Sequence, residues 1–230
     1  MPAPVVVTGS MNNPRYSSYQ SGAGVASTPA LLGQVLGITG VGFLITALAS
    51  YLFRGVSPLV GTIAFFVGFA MIFIMNGVRR NPAAALLWFY AFTFVEGVGI
   101  APMIMRYVAI DGPSVVIDAA ATTGFGMLVL GGVAFTFSVD WRRFQGIAFG
   151  LLMALIVVGV ASAFLHFLQP GVYAWATLGI FTLITLIDFS RIRAGGDGRT
   201  AVDLAVNIYL DTLNIFIALL QLFGMRSRED

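Results

Sequence analysis

The chain has 230 residues, of which 58% are hydrophobic and 10% are charged, and its formal net charge is +2. Soluble domains carry about 25% charged residues, so this composition cannot cover a globular surface and excludes an ordinary soluble enzyme. Cysteine is absent and His166 is the one histidine, which excludes disulfides, thiolate catalysis, a histidine zinc site and a Ser-His-Asp triad. All twelve basic residues are arginines. On so uncharged a chain they form no nucleic-acid-binding face, and we expect a multi-pass membrane protein.

Seven apolar segments are long enough to cross a bilayer as helices, which takes about 20 residues each. The segments are apolar throughout, whereas barrel strands alternate apolar and polar residues. Backbone groups in lipid must be hydrogen-bonded internally, which favours helices. Short loops predict antiparallel neighbours in one all-α bundle. The predicted spans are roughly 30–53, 58–78, 83–105, 114–137, 144–168, 171–190 and 204–225.

The two ends of the chain differ from this membrane domain. Residues 1–29 are rich in Ser, Gly, Pro and Asn, a composition that predicts a flexible tail. They lack the charged, apolar and cleavage regions of a signal peptide. Residues 226–230 are expected to form a short C-terminal tail, which leaves 30–225 as the seven-helix transmembrane domain.

The arginines are distributed unevenly between the two sides of the predicted membrane domain. Eight lie in the N-terminal tail and in the second, fourth and sixth loops, and four lie on the other side. This bias predicts a cytoplasmic N-terminus in the cell inner membrane and, with seven spans, a C-terminus outside. A sixth segment that only re-entered the membrane would return the C-terminus to the inside. The eight are Arg15, Arg79, Arg80, Arg142, Arg143, Arg191, Arg193 and Arg199, and the four are Arg54, Arg106, Arg226 and Arg228.

The last segment carries polar residues on one helical face. Asn207, Asp211, Asn214 and Gln221 follow offsets of four, three and seven, which places them on one side of a helix. Such a stripe faces the bundle interior or a hydrated cavity. A hydrogen-bonded contact between helices would explain the amides, but it would not need the ionisable aspartate. We therefore expect Asp211 to have a functional role.

Asp188 lies near the end of the sixth segment, which a short loop joins to the seventh. This topology predicts that Asp188 and Asp211 are neighbours. Two close carboxylates cannot both ionise at low cost, and a nearby arginine offers Asp188 a second partner. The arrangement predicts an element with two states that pH selects. Static charge pairing at a helix end is the alternative interpretation.

Glu96 lies some thirteen residues into the third segment, near the middle of the membrane. A carboxylate at that depth costs about 2.5–3.5 kcal/mol on insertion scales. Two interpretations stay open, a structural carboxyl that holds a proton and a residue that lines a pathway.

Three specific classes of membrane protein do not fit the sequence. A retinal protein needs a lysine for its Schiff base, and the chain has none. An intramembrane aspartic protease needs a Gly-x-Gly-Asp motif on a spanning helix, whereas the nearest match is 194–197, Ala-Gly-Gly-Asp, in a polar loop. The loops are too short for a G-protein-coupled receptor. We expect a protein that is not an enzyme.

The segment 208–224 resembles the closing signature of the Bax inhibitor-1 family. It contains Tyr-Leu-Asp, an Asn three residues after the Asp, and an apolar run that ends in Phe-Gly. Asp188, the Arg79-Arg80 pair and the segment 90–97, Tyr-Ala-Phe-Thr-Phe-Val-Glu-Gly, add further similarity. The resemblance covers about residues 30–225.

This resemblance implies a bundle with one central helix surrounded by the others, and a pH-dependent calcium leak. It implies that Asp188 and Asp211 form the proton sensor at the cytoplasmic mouth, and that Arg79, with Arg80 as the alternative, is the arginine that latches one of them. Some members carry an acidic residue inside the second span, where this chain has none and Gly68 lies near the matching depth. The residues expected to line the pathway are Asn207, Asn214, Glu96 and Arg80.

The resulting hypothesis is a membrane protein that passes calcium or another cation slowly. Calcium prefers about six or more oxygen ligands, so Asp188 and Asp211 with water predict weak, transient Ca²⁺ binding and no resident cofactor. The expected partners are the lipid bilayer and the cation. A non-conducting regulator of a membrane protease or other membrane protein is the main alternative, and Gly146 and Gly150 suit such helix contacts. A secondary transporter is third, since the chain shows no convincing internal repeat.

Overall fold

The computed structural model describes residues 28–137, 139–165 and 167–227. The expected N-terminal tail falls almost entirely outside these residues, as do His166 and the last three residues of the expected C-terminal tail. Arg15 and Arg228 therefore also lie outside the described residues.

The described residues form seven long helices and one 3₁₀ turn at Trp141–Phe144. Each of the seven is long and apolar enough to cross a membrane, which confirms the predicted all-α, seven-helix class. The helices are α1 (Thr28–Leu52), α2 (Pro58–Val78), α3 (Pro82–Asp111), α4 (Pro113–Thr136), α5 (Gln145–Leu165), α6 (Pro170–Arg193) and α7 (Ala201–Arg226).

Proline begins four of these helices, where its missing N–H costs nothing and its fixed φ suits the first turn. Two of the four also have side-chain caps, from Ser57 before α2 and Asn81 before α3. The helix α3 continues to Asp111, six residues beyond the predicted span. It ends there because Gly112 adopts a positive φ of 83° and Pro113 begins the next helix.

The helix α6 is a continuous helix of 24 residues, or about 36 Å. That length crosses the membrane completely, so the structure does not support a re-entrant sixth segment. Seven complete helices place the start of α1 and the end of α7 at opposite ends of the bundle.

Helix α7 is the central helix that the resemblance implies. It packs against α1, α3, α4 and α6, and its buried residues are spread along the whole helix, from Val202 to Gly224. Around it, α5 packs mainly on α6, and α2 packs mainly on α3. Residues carried by α7 therefore lie inside the bundle.

Close helix contacts in the described part of the bundle depend on glycine. A Cβ on Gly97 of α3 would lie 2.5 Å from the Thr46 carbonyl oxygen of α1, and a Cβ on Gly61 of α2 would lie 2.6 Å from Pro102 Cγ of α3. A glycine interface lets two backbones approach closely, which suits helices that lipid does not drive together. These contacts fix α1 and α2 on opposite flanks of α3.

We expect Gly97→Ala to lower the stability of the protein in detergent by about 1–3 kcal/mol, because the added methyl group would overlap the backbone of α1. The midpoint of thermal unfolding measures this change. Gly40→Ala on α1 is the matched control, since a Cβ there meets nothing within 4 Å. An equal loss in both variants would contradict the close α1–α3 packing.

Candidate functional site

Two buried carboxylates face each other across the α6–α7 contact, and we call Asp188 and Asp211 the acidic pair. Asp188 is 2% exposed and Asp211 is 3% exposed. Arg191, one turn further along α6 and also buried, donates a hydrogen bond to the Asp188 carboxylate. Asp188 is close enough to Asp211 to act on it electrostatically, so the two aspartates are neighbours in the bundle.

The surroundings of Asp211 leave one carboxylate oxygen without a partner. Its neighbours include Asp188, Arg191 and Thr185, but the Thr185 hydroxyl donates to the Phe181 carbonyl at 2.7 Å. Asp211 Oδ2 is buried and has no hydrogen-bond partner among the described residues. Buried polar atoms are rarely left unpaired, so this oxygen indicates a position for a proton, a water or a cation.

The charges around the acidic pair do not cancel. Arg191 is the one buried arginine among the described residues, and it pairs with Asp188. Arg199 in the following loop acts on Asp188 from an exposed position, and the Asn207 amide lies beside the same carboxylate. With both aspartates ionised, the buried group of two carboxylates and one guanidinium carries a net charge of −1. Uncompensated buried charge is costly, so the second carboxylate needs a proton or a cation.

The fold places the acidic pair toward one end of the bundle. Asp188 lies five residues before the end of α6, and Asp211 lies ten residues after the start of α7. At 1.5 Å per residue these positions are about 8 Å and about 15 Å from the helix ends. Because α6 ends and α7 begins at the same side, the pair lies within reach of the loop that joins them.

That loop and its neighbours form what we call the arginine-rich end of the bundle. Arg142 hydrogen-bonds Asp140 at 2.8 Å and Asp197 at 2.7 Å, and so links the α4–α5 connection to the α6–α7 loop. Arg193 donates to three carbonyls, one in the last turn of α4, where a helix leaves carbonyls unpaired, and two in the connection that follows it. The three are the carbonyls of Ala134, Phe137 and Val139.

The loop between α6 and α7 has a backbone that only a glycine-rich segment adopts readily. Gly195, Gly196 and Gly198 have φ values between 75° and 90°, and Asp197 has a φ of 51°. A capping box of Thr200 and Asp203 then begins α7. The loop therefore reverses the chain within a few residues and returns α7 beside α6.

The predicted arginine latch has a different partner in this structure. Arg79 Nε lies 3.9 Å from Asp203 Oδ1, and the Arg79 side chain is half exposed. Arg80 is exposed. In this structure the partner of Asp188 is Arg191, and the assignment of Arg79 or Arg80 as the latch stays a prediction.

The other residues predicted to line a pathway lie in separate places. Asn207 lies beside Asp188, whereas the Asn214 amide donates to the Leu210 carbonyl of its own helix at 2.8 Å. Glu96 is buried on α3, at the contact with α2. The stripe on α7 and Glu96 are therefore two distinct polar regions.

The sequence predicted an arginine close to Asp188 but did not identify Arg191 as that partner. The spacing of three residues on one helix was the available signal, since such pairs meet on the helix surface. The Tyr209–Thr46 hydroxyl contact at 2.7 Å was not predicted. It joins α7 to α1 across 163 residues of sequence, and no local sequence pattern indicates such a contact.

The acidic pair is the candidate cation site, and its donor set is small. Among the described residues, no group of three or more His, Cys, Asp or Glu side chains could hold a metal ion. For a cation bound there, two carboxylates and water would therefore supply the oxygens.

Comparison with known proteins agrees with the sequence resemblance. A family model described as "Inhibitor of apoptosis-promoting Bax1" matches residues 28–228. An uncharacterized membrane protein of Vibrio cholerae is 28% identical over 229 residues, which cover 96% of this chain and 100% of the relative. An uncharacterized membrane protein of Streptococcus pyogenes is 28% identical over 220 residues, 83% of this chain and 90% of the relative. A Helicobacter pylori protein is 30% identical over 156 residues, 66% of each chain.

We expect Arg142→Gln to lower the thermal unfolding midpoint at neutral pH, because it removes both ion pairs of the loops. The hydrogen bond from Arg142 holds the pKa of Asp140 below its usual value. Stability from this interaction is therefore present above the usual aspartate range, about pH 3.9, and is lost as the pH falls through the lowered pKa. The difference between wild type and variant should shrink as the pH falls toward that lowered value.

The control for this comparison is Arg143→Gln. Arg143 lies over the Phe144 ring, with its guanidinium carbon 4.8 Å from the ring centroid, so its removal should have an effect that does not follow carboxylate titration. An Arg142→Gln deficit that is the same at acidic and neutral pH would contradict the role given to Asp140.

Proposed function

The chain belongs to the Bax inhibitor-1 family, and from that premise we propose that it is a pH-sensitive leak pathway for calcium or another cation. The protein spans the membrane several times, and we propose that it lies in a bacterial inner membrane with its N-terminus in the cytoplasm. The arginine-rich end would then face the cytoplasm, as the distribution of arginines favours. In this proposal the protein catalyses no reaction and holds no resident cofactor.

One observation carries the proposal, the unpartnered Oδ2 atom of Asp211 next to the Asp188–Arg191 ion pair. One guanidinium balances one carboxylate, so the other is stable in the bundle when it holds a proton. When that proton leaves, the buried pair has a net negative charge, which attracts a cation. Proton and cation thus compete for the same oxygens.

The same arrangement gives pH a structural effect. Arg191 can pair with only one carboxylate at full strength, and the identity of that partner depends on which aspartate carries the proton. A side chain with two alternative partners is an element with two states, and a proton that binds one state better shifts the balance between them. The α6–α7 contact is where that shift would act.

A second candidate function follows from α5, which packs mainly on α6. Gly146 and Gly150 are exposed, and a Cβ on either would meet nothing within 4 Å. Small residues one turn apart let another helix approach closely. This open face favours a regulator that contacts a membrane protein, with or without ion conduction.

The leak is tested by calcium flux into proteoliposomes between about pH 5 and pH 8. We expect a flux that changes with pH in wild type and loses that dependence in Asp211→Asn and Asp188→Asn, because asparagine cannot exchange a proton. Asp118→Asn is the matched control, since Asp118 is an exposed carboxylate on α4. Folded, inserted protein with no flux above that of empty liposomes would overturn the leak, and the regulator would then be tested by capture of membrane partners.

The partner of Asp188 is tested by comparing Arg191→Gln with Arg79→Gln. Removing the buried guanidinium strengthens proton binding to the acidic pair, so we expect Arg191→Gln to move the pH midpoint of the flux upward by about one to three units. Arg79 faces Asp203 at 3.9 Å in this structure, so Arg79→Gln should shift the midpoint less. A larger shift from Arg79→Gln would identify Arg79 as the latch instead.

A further inference from the structure

A third buried carboxylate, Glu96, lies away from the acidic pair, between α3 and α2. Its side chain is 4% exposed. A Cβ built on Gly68 of α2 would overlap Glu96 Oε1. Gly68 therefore leaves the space that the Glu96 carboxyl occupies, so the carboxyl group fits into the second helix at a defined place.

No described residue donates a hydrogen bond to the Glu96 carboxylate. Thr46 Oγ1 lies 2.9 Å from the Thr93 carbonyl oxygen and 3.0 Å from the Gly42 carbonyl oxygen, and its one proton serves one acceptor at a time. The Tyr209 hydroxyl lies 2.7 Å from Thr46 Oγ1, and either oxygen can be the donor. The hydrogen bonds of these two hydroxyls are thus with each other and with backbone carbonyls.

The helices packed on α3 bring no opposite charge to Glu96. The helix α2 has no ionisable residue, and α1 has only the exposed Tyr51. The one ionisable residue of α4, Asp118, is exposed, and α7 presents the neutral Tyr209 hydroxyl, which Glu96 influences electrostatically. An ionised Glu96 would therefore have neither a donor nor a cation among its described neighbours.

We propose that Glu96 is a proton-binding site, separate from the acidic pair, in the contact between α2 and α3. A bare carboxylate in this place is costly, and a proton removes the charge. Calcium prefers about six or more oxygens, which one carboxylate does not provide. A glutamine would fill the same space without charge, so the carboxyl differs from it in being able to exchange a proton.

The depth of Glu96 separates it from the acidic pair. Glu96 lies fourteen residues after the start of α3, about 21 Å from the arginine-rich end, whereas Asp211 lies about 15 Å from the same end. The two sites are also on different helices and face different neighbours. Protons would therefore bind at two places, and the proposal holds whether or not the protein conducts calcium.

The sequence permits a direct measurement, because Glu96 and Glu229 are the two glutamates of the chain. Cell-free synthesis with glutamate carrying ¹³C at the side-chain carboxyl places two labelled glutamate carboxyls in the protein. In Glu229→Gln the Glu96 signal is alone, and Glu96→Gln assigns it by loss. The ¹³C resonance reports directly whether the carboxyl is protonated, in the full chain in lipid.

We expect the Glu96 resonance to move from the neutral to the ionised position as the pH rises from about 5 to about 9, with at least half of the change inside this range. Asp211→Asn and Asp188→Asn should leave this titration in place. A resonance that stays at one position over the whole range would overturn proton exchange at Glu96. A titration that disappears in Asp211→Asn would overturn its separation from the acidic pair.

Gly68→Ala tests the geometry of the site. The added methyl group would occupy the position of Glu96 Oε1, so we expect the carboxyl to move and its resonance or titration midpoint to change. Gly77→Ala, on the same helix and with nothing within 4 Å of the added Cβ, should change neither. An unchanged Glu96 signal in folded Gly68→Ala would overturn the placement of the carboxyl against α2.

Discussion

A buried arginine that can neutralise only one of two neighbouring carboxylates is the constraint on which the rest of this structure depends. Arg191 and Asp188 lie on the same face of α6, so their pairing needs only a helix. Asp211 comes from α7, so its proximity needs the tight α6–α7 loop and the ties at the arginine-rich end. Packing and hydrogen bonds elsewhere in the bundle therefore hold together charges that would separate in water.

Most of the fold could be predicted from the sequence because the physical signals are local. A continuous apolar run of about 20 residues predicts a membrane helix, and proline at the first turn marks where α2, α3, α4 and α6 begin. The C-terminal end of α3 could not be predicted from hydropathy, because the hydropathy falls several residues before the helix ends. Arg106 and Asp111 extend that helix beyond the apolar core, and its end is set by the positive φ of Gly112.

The acidic pair was predictable for a similar reason, since helix periodicity and one short loop bring Asp188 beside Asp211. The residues that the acidic pair contacts could not be predicted in this way. Pairing of Asp188 with Arg191, rather than with an arginine from α2, depends on side-chain conformation inside the bundle. The Glu96 carboxyl lies against α2 in the space that Gly68 leaves by having no side chain. A glycine within an apolar segment does not indicate which residue of another helix fills that space.

The acidic pair and Glu96 differ in how the charge of a buried carboxylate is balanced. This difference limits what each of them can bind. In the acidic pair, Arg191 already balances one charge, so one proton completes the balance, and the two carboxylates together offer several oxygens. At Glu96 no described residue supplies a cation or donates a hydrogen bond, and the carboxyl occupies the space that Gly68 leaves. A cation there would lose its water without replacement, whereas a proton needs one oxygen. Under the proposed function, the acidic pair would exchange a proton for a cation, whereas Glu96 would bind a proton alone.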